Sequence, residues 1–332
     1  MLRIGIIGLG AIGQEHMEIY RHLDGVEVTA VADFDLPRAQ EAATAIGATA
    51  FGSAKELLAA DIVDAVSLCT PDHLHAGDAT EVMNAGVHLL LEKPIATTIE
   101  EAANLVALAE STGLVVMPGH TLRFENKYVT THNILQAGSI GDVVHGYLRR
   151  NNKVSVAERV KGRTSVTFFL GIHDIDALMW ITGQRITAVQ AIESEQRTPE
   201  GGQAVAVTAN LRLANGGTVQ LEAAWGLPDA YPTDIDARFR LVGTMGEVSI
   251  DIHDQGMSAF SERLAYPTPT AVPVYGAPQG ALKEELSAFV RAVRGVIPVP
   301  VTMAQAEDAV RVAFAVDRAI QSGNTEVVEY RN

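Results

Sequence analysis

The chain has 332 residues, enough for one large or two ordinary domains. Apolar residues make up 47% and charged residues 20%, which excludes a disordered chain, and 25 basic against 40 acidic residues give a net charge of −15, which excludes adhesion to nucleic acid through bulk charge. One cysteine excludes an internal disulfide. No apolar run reaches the length of about 18 residues that a membrane helix needs, and the N-terminus shows no secretory signal. The expectation is a cytoplasmic protein with no nucleic-acid or membrane partner.

The first part of the chain alternates strand and helix patterns. Residues 4–7 are a short apolar run ending in glycines, and 11–23 have helical spacing with Ile12, Ile19 and Leu23 apolar. Residues 26–32 form a second apolar run that stops at Asp33. Asp35 caps a helix with Pro37 in its first turn and Gly47 at its end. A strand at 65–69, a helix at 73–85 and a strand at 87–91 follow. Thr98 with Glu101 reads as a capping box, opening a helix that ends before Gly113. A short strand at 115–117 closes at Pro118-Gly119. After a helix at 127–136, strands predominate, at 143–150, 186–194, 204–213, 218–225, 235–242 and 248–252. One helix, 167–181, interrupts them. Asn215-Gly216-Gly217 and Gly243-Thr244-Met245-Gly246 read as hairpin turns. Residues 266–279 carry four prolines and read as extended or loop. Helices at 281–293 and 303–322 close the chain.

Gly8-Leu9-Gly10-Ala11-Ile12-Gly13 is a G-x-G-x-x-G between a strand and a helix, with Asp33 placed 20 residues past Gly13. That context is the dinucleotide-binding fingerprint. Gly8 permits the tight turn, Gly10 lets backbone N–H groups approach a pyrophosphate, and Gly13 lets helix and strand pack closely. Gly8, Gly10, Ala11, Ile12, Gly13 and Asp33 are therefore cofactor-binding candidates. Asp33 accepts from a ribose and repels a 2′-phosphate, which favours NAD over NADP. The fold class is α/β: an N-terminal Rossmann doubly wound parallel sheet, then an α+β domain with a large open, mostly antiparallel sheet. The expected division is 1–120 for NAD binding and 121–332 for substrate binding and oligomerisation. Alternating apolar residues such as Val205, Val207, Leu211 and Leu213 suggest a homodimer or homotetramer with sheets packed face to face.

Further motifs are Thr70-Pro71 with His75 after it, Leu91-Glu92-Lys93-Pro94, Gly119-His120-Thr121-Leu122-Arg123-Phe124, and Gly171-Ile172-His173-Asp174-Ile175-Asp176. With the fingerprint and the turn at 243–246, they make nearly the whole chain resemble the Gfo/Idh/MocA oxidoreductases. The resemblance implies a nicotinamide-dependent enzyme acting on a polyol, sugar or sugar acid. It adds Thr70, Pro71, His75, Glu92 and Lys93 to the cofactor set.

Lys93 stands at the C-terminal end of a strand, where ligands bind in parallel sheets, and an ammonium there can stabilise a developing alkoxide. The resemblance gives it contacts to both substrate and cofactor ribose. A surface lysine before a helix is the competing reading. A histidine titrates near neutral pH, so His173 is a residue that can exchange the hydroxyl proton. On a regular helix it shares a face with Phe169, Asp176 and Trp180. The resemblance makes it the acid/base residue and Asp176 a substrate contact; a buried structural histidine is the competing reading. Many relatives carry an aspartate where this chain has Phe169, so Asp174 or Asp176 must orient His173, or the substrate needs an apolar wall.

Residues 149–163 hold Arg149, Arg150, Lys153, Arg159, Lys161 and Arg163 against one acid, Glu158. They suit capture of an anionic substrate, with Lys153, Arg163 and Arg123 as substrate-binding candidates. A solvated loop pairing with acids of a neighbouring subunit is the competing reading. Asp72, His73 and His75 lack zinc-like spacing, and no metal is expected. Cys69, Trp180 and Trp225 read as core or pocket wall. Two other functions stay open: a redox-assisted lyase or glycosidase with tightly bound NAD, and a non-catalytic NAD-binding regulator.

Overall fold

A computed structural model describes residues 1–198, 202–233, 235–253 and 273–331. The chain divides into two compact units, Met1–Phe124 with Thr270–Glu307 and Glu125–Pro269 with Asp308–Asn332.

The first stretch runs β1 (Leu2–Ile7), α1 (Ala11–Tyr20), β2 (Val26–Ala32), α2 (Leu36–Ile46), β3 (Thr49–Phe51), α3 (Ala54–Ala59) and β4 (Ala65–Leu68). It continues with α4 (His75–Asn84), β5 (His88–Glu92), α5 (Ile99–Thr112) and β6 (Val116–Gly119). The helix ends follow from local chemistry. The Asp35 side chain accepts from the Arg38 N–H, and Gly47 ends α2 at φ 77°, a left-handed conformation that costs glycine little. Thr98 caps α5 by accepting from the Glu101 N–H at 3.1 Å. All six strands pair in parallel in the order β3-β2-β1-β4-β5-β6. The order reverses between β1 and β4, and such a switch point opens a crevice at the C-terminal strand ends.

The chain goes on through α6 (Asn126–Gln136), β7 (Val143–Lys153), α7 (Val154–Val160), α8 (Ile172–Thr182), β8 (Ile186–Glu193), β9 (Ala206–Leu213), β10 (Thr218–Leu227), β11 (Ile235–Gly243) and β12 (Glu247–Asp251). It ends with α9 (Ala281–Val293), α10 (Met303–Ser322) and β13 (Glu326–Val327). α9 belongs to the first unit, where Leu286, Phe289 and Val290 join Ile4, Ile6, Ile19 and Tyr20 in one core. The sheet of the second unit has the order β12-β11-β7-β10-β9-β8-β13. Its β7–β10 pair is parallel and the others are antiparallel.

Four short elements, β3, α3, α7 and β13, lie outside the sequence reading. The helix expected over 167–181 is not regular either. Thr167–Gly171 form a wide π turn, and α8 starts only at Ile172. The step from Phe169 to His173 therefore crosses from one helical geometry to another. Of the proline-rich stretch 266–279, residues 266–272 lie outside the described residues; Val274 and Ala277 pair across a tight turn.

The alternation expected over 204–213 is present in β9. Val207, Leu211 and Leu213 are buried within the unit's own core, while Asn210 and Arg212 point outward. The next strand repeats this, with Val219, Leu221, Ala223 and Trp225 buried. The apolar residues of these two strands share one side of the sheet and are buried there.

Candidate active site

The glycine fingerprint is built as a cradle. Gly8 sits at φ 89° with its α-carbon against the Cys69–Thr70 backbone, and a Cβ there would lie 2.7 Å from the Cys69 carbonyl. A Cβ on Gly13 would lie 1.9 Å from the Gly8 carbonyl oxygen, so this glycine brings α1 against β1. Gly10 differs: a Cβ there meets nothing within 4 Å, and no side chain caps the start of α1. The space in front of Gly10, over the first N–H groups of the helix, suits a pyrophosphate.

Asp33 is buried at the end of β2. Its carboxylate accepts the Leu9 N–H at 2.7 Å and the Asp35 N–H at 2.9 Å. It thus holds the glycine loop. The second acceptor site of each oxygen faces the Arg38 guanidinium. Arg38 reaches both oxygens at 3.4 Å and Asp35 at 3.2 Å, an ion pair the sequence reading missed.

The turns after β4 and β5 are stapled together. His75 is buried at the start of α4. Its Nδ1 lies 2.6 Å from the Pro94 carbonyl oxygen and its Nε2 lies 2.8 Å from the Thr70 carbonyl oxygen. The Thr70 hydroxyl donates to Asp78 at 2.9 Å. Thr70, Pro71 and Lys93 therefore stand in adjacent turns, with Lys93 half-buried. The Glu92 carboxylate turns inward, toward His16, at 3.3 Å. Arg123 follows β6, is buried, and gives a guanidinium N–H to Gln305 at 2.9 Å. Among the described residues, no group of three or more His, Cys, Asp and Glu side chains is arranged to hold a metal ion.

His173 lies in the second unit. It is half-buried on α8, flanked by the buried Ile172, Asp174, Ile175 and Asp176. Phe169 packs against Trp225, ring centroids 5.8 Å apart, and so forms part of an aromatic wall. Asp174 does not serve as the partner that orients His173. It is fully buried and binds Arg150 through two contacts of 2.6 and 3.1 Å, with the Tyr128 hydroxyl 3.2 Å from the same guanidinium. This also removes Arg150 from the basic stretch read as an anion trap. Arg149 leaves it too, paired with Asp236 at 2.7 Å. Arg163 is exposed but spends two donors on the Val160 and Arg159 carbonyls at the end of α7.

Burial pushes the Asp174 carboxyl above the usual range, against the pull of Arg150. An arginine cannot shed its charge in the same way. Asp174→Asn should therefore cost about 3–5 kcal/mol, because it strands a buried guanidinium. Arg150→Met should cost less, because Asp174 can take up a proton. Urea unfolding of the two variants checks the order; equal or reversed losses would refute it.

Models of two domains match this chain: an oxidoreductase family with an NAD-binding Rossmann fold over residues 2–120, and a GFO/IDH/MocA C-terminal domain over 128–249. The 4-carboxy-2-hydroxymuconate-6-semialdehyde dehydrogenase of Sphingobium sp. is 32% identical over 68% of this chain and 72% of its own. The chain belongs to the Gfo/Idh/MocA oxidoreductases. Inositol 2-dehydrogenase 1 of Saccharopolyspora erythraea, another relative in this family, is 32% identical over 75% of this chain and 74% of its own. The fold matches that of Lactobacillus casei scyllo-inositol dehydrogenase, solved with NAD(H) and scyllo-inositol, at a TM-score of 0.83, 22% identity and 99% coverage of both chains. No helix among the described residues is long and apolar enough to cross a membrane.

Proposed function

We propose that this Gfo/Idh/MocA member is an NAD-preferring dehydrogenase that moves a hydride between the nicotinamide and a secondary alcohol of a polyol, sugar or sugar acid. The observation that carries this reading is the first unit's arrangement: an open glycine cradle, Asp33 at the end of β2, and Lys93 in a turn stapled beside Thr70-Pro71. These residues fit NAD, which when bound supplies the hydride acceptor. The Gly8–Gly13 loop holds the pyrophosphate and Asp33 the adenosine ribose, while Thr70, Pro71 and Lys93 border the nicotinamide end. Lys93 donates to the substrate oxygen as the C–H bond breaks, and His173 receives the hydroxyl proton. Asp176 binds substrate hydroxyls, and Lys153 with Arg163 takes any carboxylate.

The named relatives cover a neutral cyclic polyol and a carboxylated semialdehyde. Phe169 beside Trp225 favours a substrate with an apolar side. A panel of polyols, sugars and sugar acids, read by the absorbance of reduced nicotinamide, tests the reaction class. Turnover on at least one member supports it, and silence across the panel rejects it.

Cofactor choice should follow Asp33. The wild type should prefer NAD, and Asp33→Ser should shift preference toward NADP by removing the ribose acceptor and releasing Arg38 toward a 2′-phosphate. Ratios of kcat/KM for the two cofactors measure this; equal use of both by the wild type would contradict it. The protein is expected in the cytoplasm. Residues 1–120 are assigned to NAD binding and 121–332 to substrate binding and to a homodimer or homotetramer. Light scattering that finds a stable monomer at micromolar concentration would reject the oligomer.

A further inference from the structure

Behind the Lys93 turn lies a buried polar cluster that the proposed reaction leaves without a role. His16 is fully buried on α1, one turn past Gly13, whose missing side chain lets the helix come close. Its Nδ1 lies 3.2 Å from the Ser67 hydroxyl and 3.5 Å from the Cys69 sulfur, and Ser67 lies 2.9 Å from the Tyr20 hydroxyl. Its Nε2 lies 3.3 Å from Glu92 Oε1, and among the described residues neither atom has another polar partner. The other oxygen, Glu92 Oε2, accepts the Lys93 backbone N–H at 3.3 Å. Gly119 makes room for the carboxylate: a Cβ there would lie 3.1 Å from Glu92 Oε1. An acidic side chain is seldom buried this deeply without a purpose that offsets its lost hydration.

We propose that Glu92, seated on His16, is a positioning residue for Lys93, fixing the backbone that carries the lysine and placing a carboxylate charge near its ammonium. The proposal rests on the reading of Lys93 as the group that stabilises the substrate oxygen. The titratable groups that act on Glu92 are Glu15, His16 and Tyr20 on α1, Cys69 after β4, His75 on α4 and Lys93 itself, and the buried Glu285 on α9 acts on the same Tyr20 and Cys69. Burial alone pushes the Glu92 carboxyl up, but His16, Lys93 and His75 outweigh it and hold the group below the usual carboxylate range. The attraction is mutual, so the carboxylate favours the charged form of Lys93.

Glu92→Gln keeps the shape and removes the charge. Competitive acylation of Lys93 across pH, read from the mass of its peptide, reports the lysine's titration without turnover. In Glu92→Gln the midpoint should fall by about one pH unit, making Lys93 about tenfold more reactive at a given pH below it. kcat should fall about tenfold with the KM for NAD unchanged. Glu92→Asp keeps the charge but retracts it, so the midpoint should hold while kcat falls; this variant also serves if Glu92→Gln does not fold. His16→Asn should move the acid limb of the pH–rate profile to higher pH, because Glu92 loses one of the groups that hold it low. If Glu92→Gln leaves both the Lys93 midpoint and kcat within twofold of wild type, the proposal is overturned. Near-normal activity of Lys93→Ala would instead defeat the catalytic reading of Lys93, with the acylation result unaffected.

Discussion

Lys93→Ala is expected to lower kcat by about 10²–10³, the usual loss when one donor to a developing oxyanion is removed. Lys93 follows the C-terminal end of β5, the strand next to β4 at the switch point. Its backbone is held from two sides. Glu92 accepts its N–H, and the Pro94 carbonyl that follows lies 2.6 Å from His75. A donor held in place costs little reorganisation when charge develops on the substrate. Lys93→Arg should not restore the rate, because a planar fork puts its donors elsewhere. Steady-state kinetics with a parallel measurement of NAD affinity separates chemistry from binding. A loss confined to KM for NAD would make Lys93 a cofactor ligand only.

His173→Ala is expected to cost on the order of 10²–10⁴ in kcat, and the deficit should shrink as pH rises and hydroxide or buffer takes the proton. NAD affinity should hardly change, because the glycine cradle and Asp33 lie in the other unit. His173 stays half-buried on a helix start whose neighbours are buried, so its ring is constrained yet reachable. Phe169, four residues earlier, offers no carboxylate, and Asp174 is committed to Arg150. If His173→Ala kept near-wild-type kcat from about pH 6 to about pH 9, the proton route would lie elsewhere. Asp176, and Lys93 acting as both acid and stabiliser, would be the next residues to replace.

Much of the fold is legible because its signals are local. Asp35 and Gly47 bracket α2 with cap chemistry, as do Thr98 and Gly113 for α5. The helices expected at 281–293 and 303–322 are α9 and α10. The elements that escaped are too short to carry a period, and β13 exists only through its pairing with β8. The wide turn at Thr167–Gly171 has no compositional mark, since a hydrogen-bond shift from i+4 to i+5 changes no residue type.

The glycine cradle was legible because glycines there serve backbone geometry, which sequence context reveals. The charge pairs were not. Arg150 meets Asp174 across 24 positions, and Arg149 meets Asp236 across 87. A cation whose partner lies on a distant element looks like surplus charge when read along the chain. His16 and Glu92 were hidden in the same way, since only the approach of α1 over Gly13 brings them together.

In the proposed reaction, hydride from a substrate alcohol ends on the nicotinamide. The most direct measurement takes an alcohol turned over in the panel, deuterated at its carbinol carbon, and follows the label during oxidation with NAD. One equivalent of reduced nicotinamide carrying the deuterium on its ring is the expected result. Product formed while the nicotinamide remains oxidised, or reduced nicotinamide without the label, would contradict it.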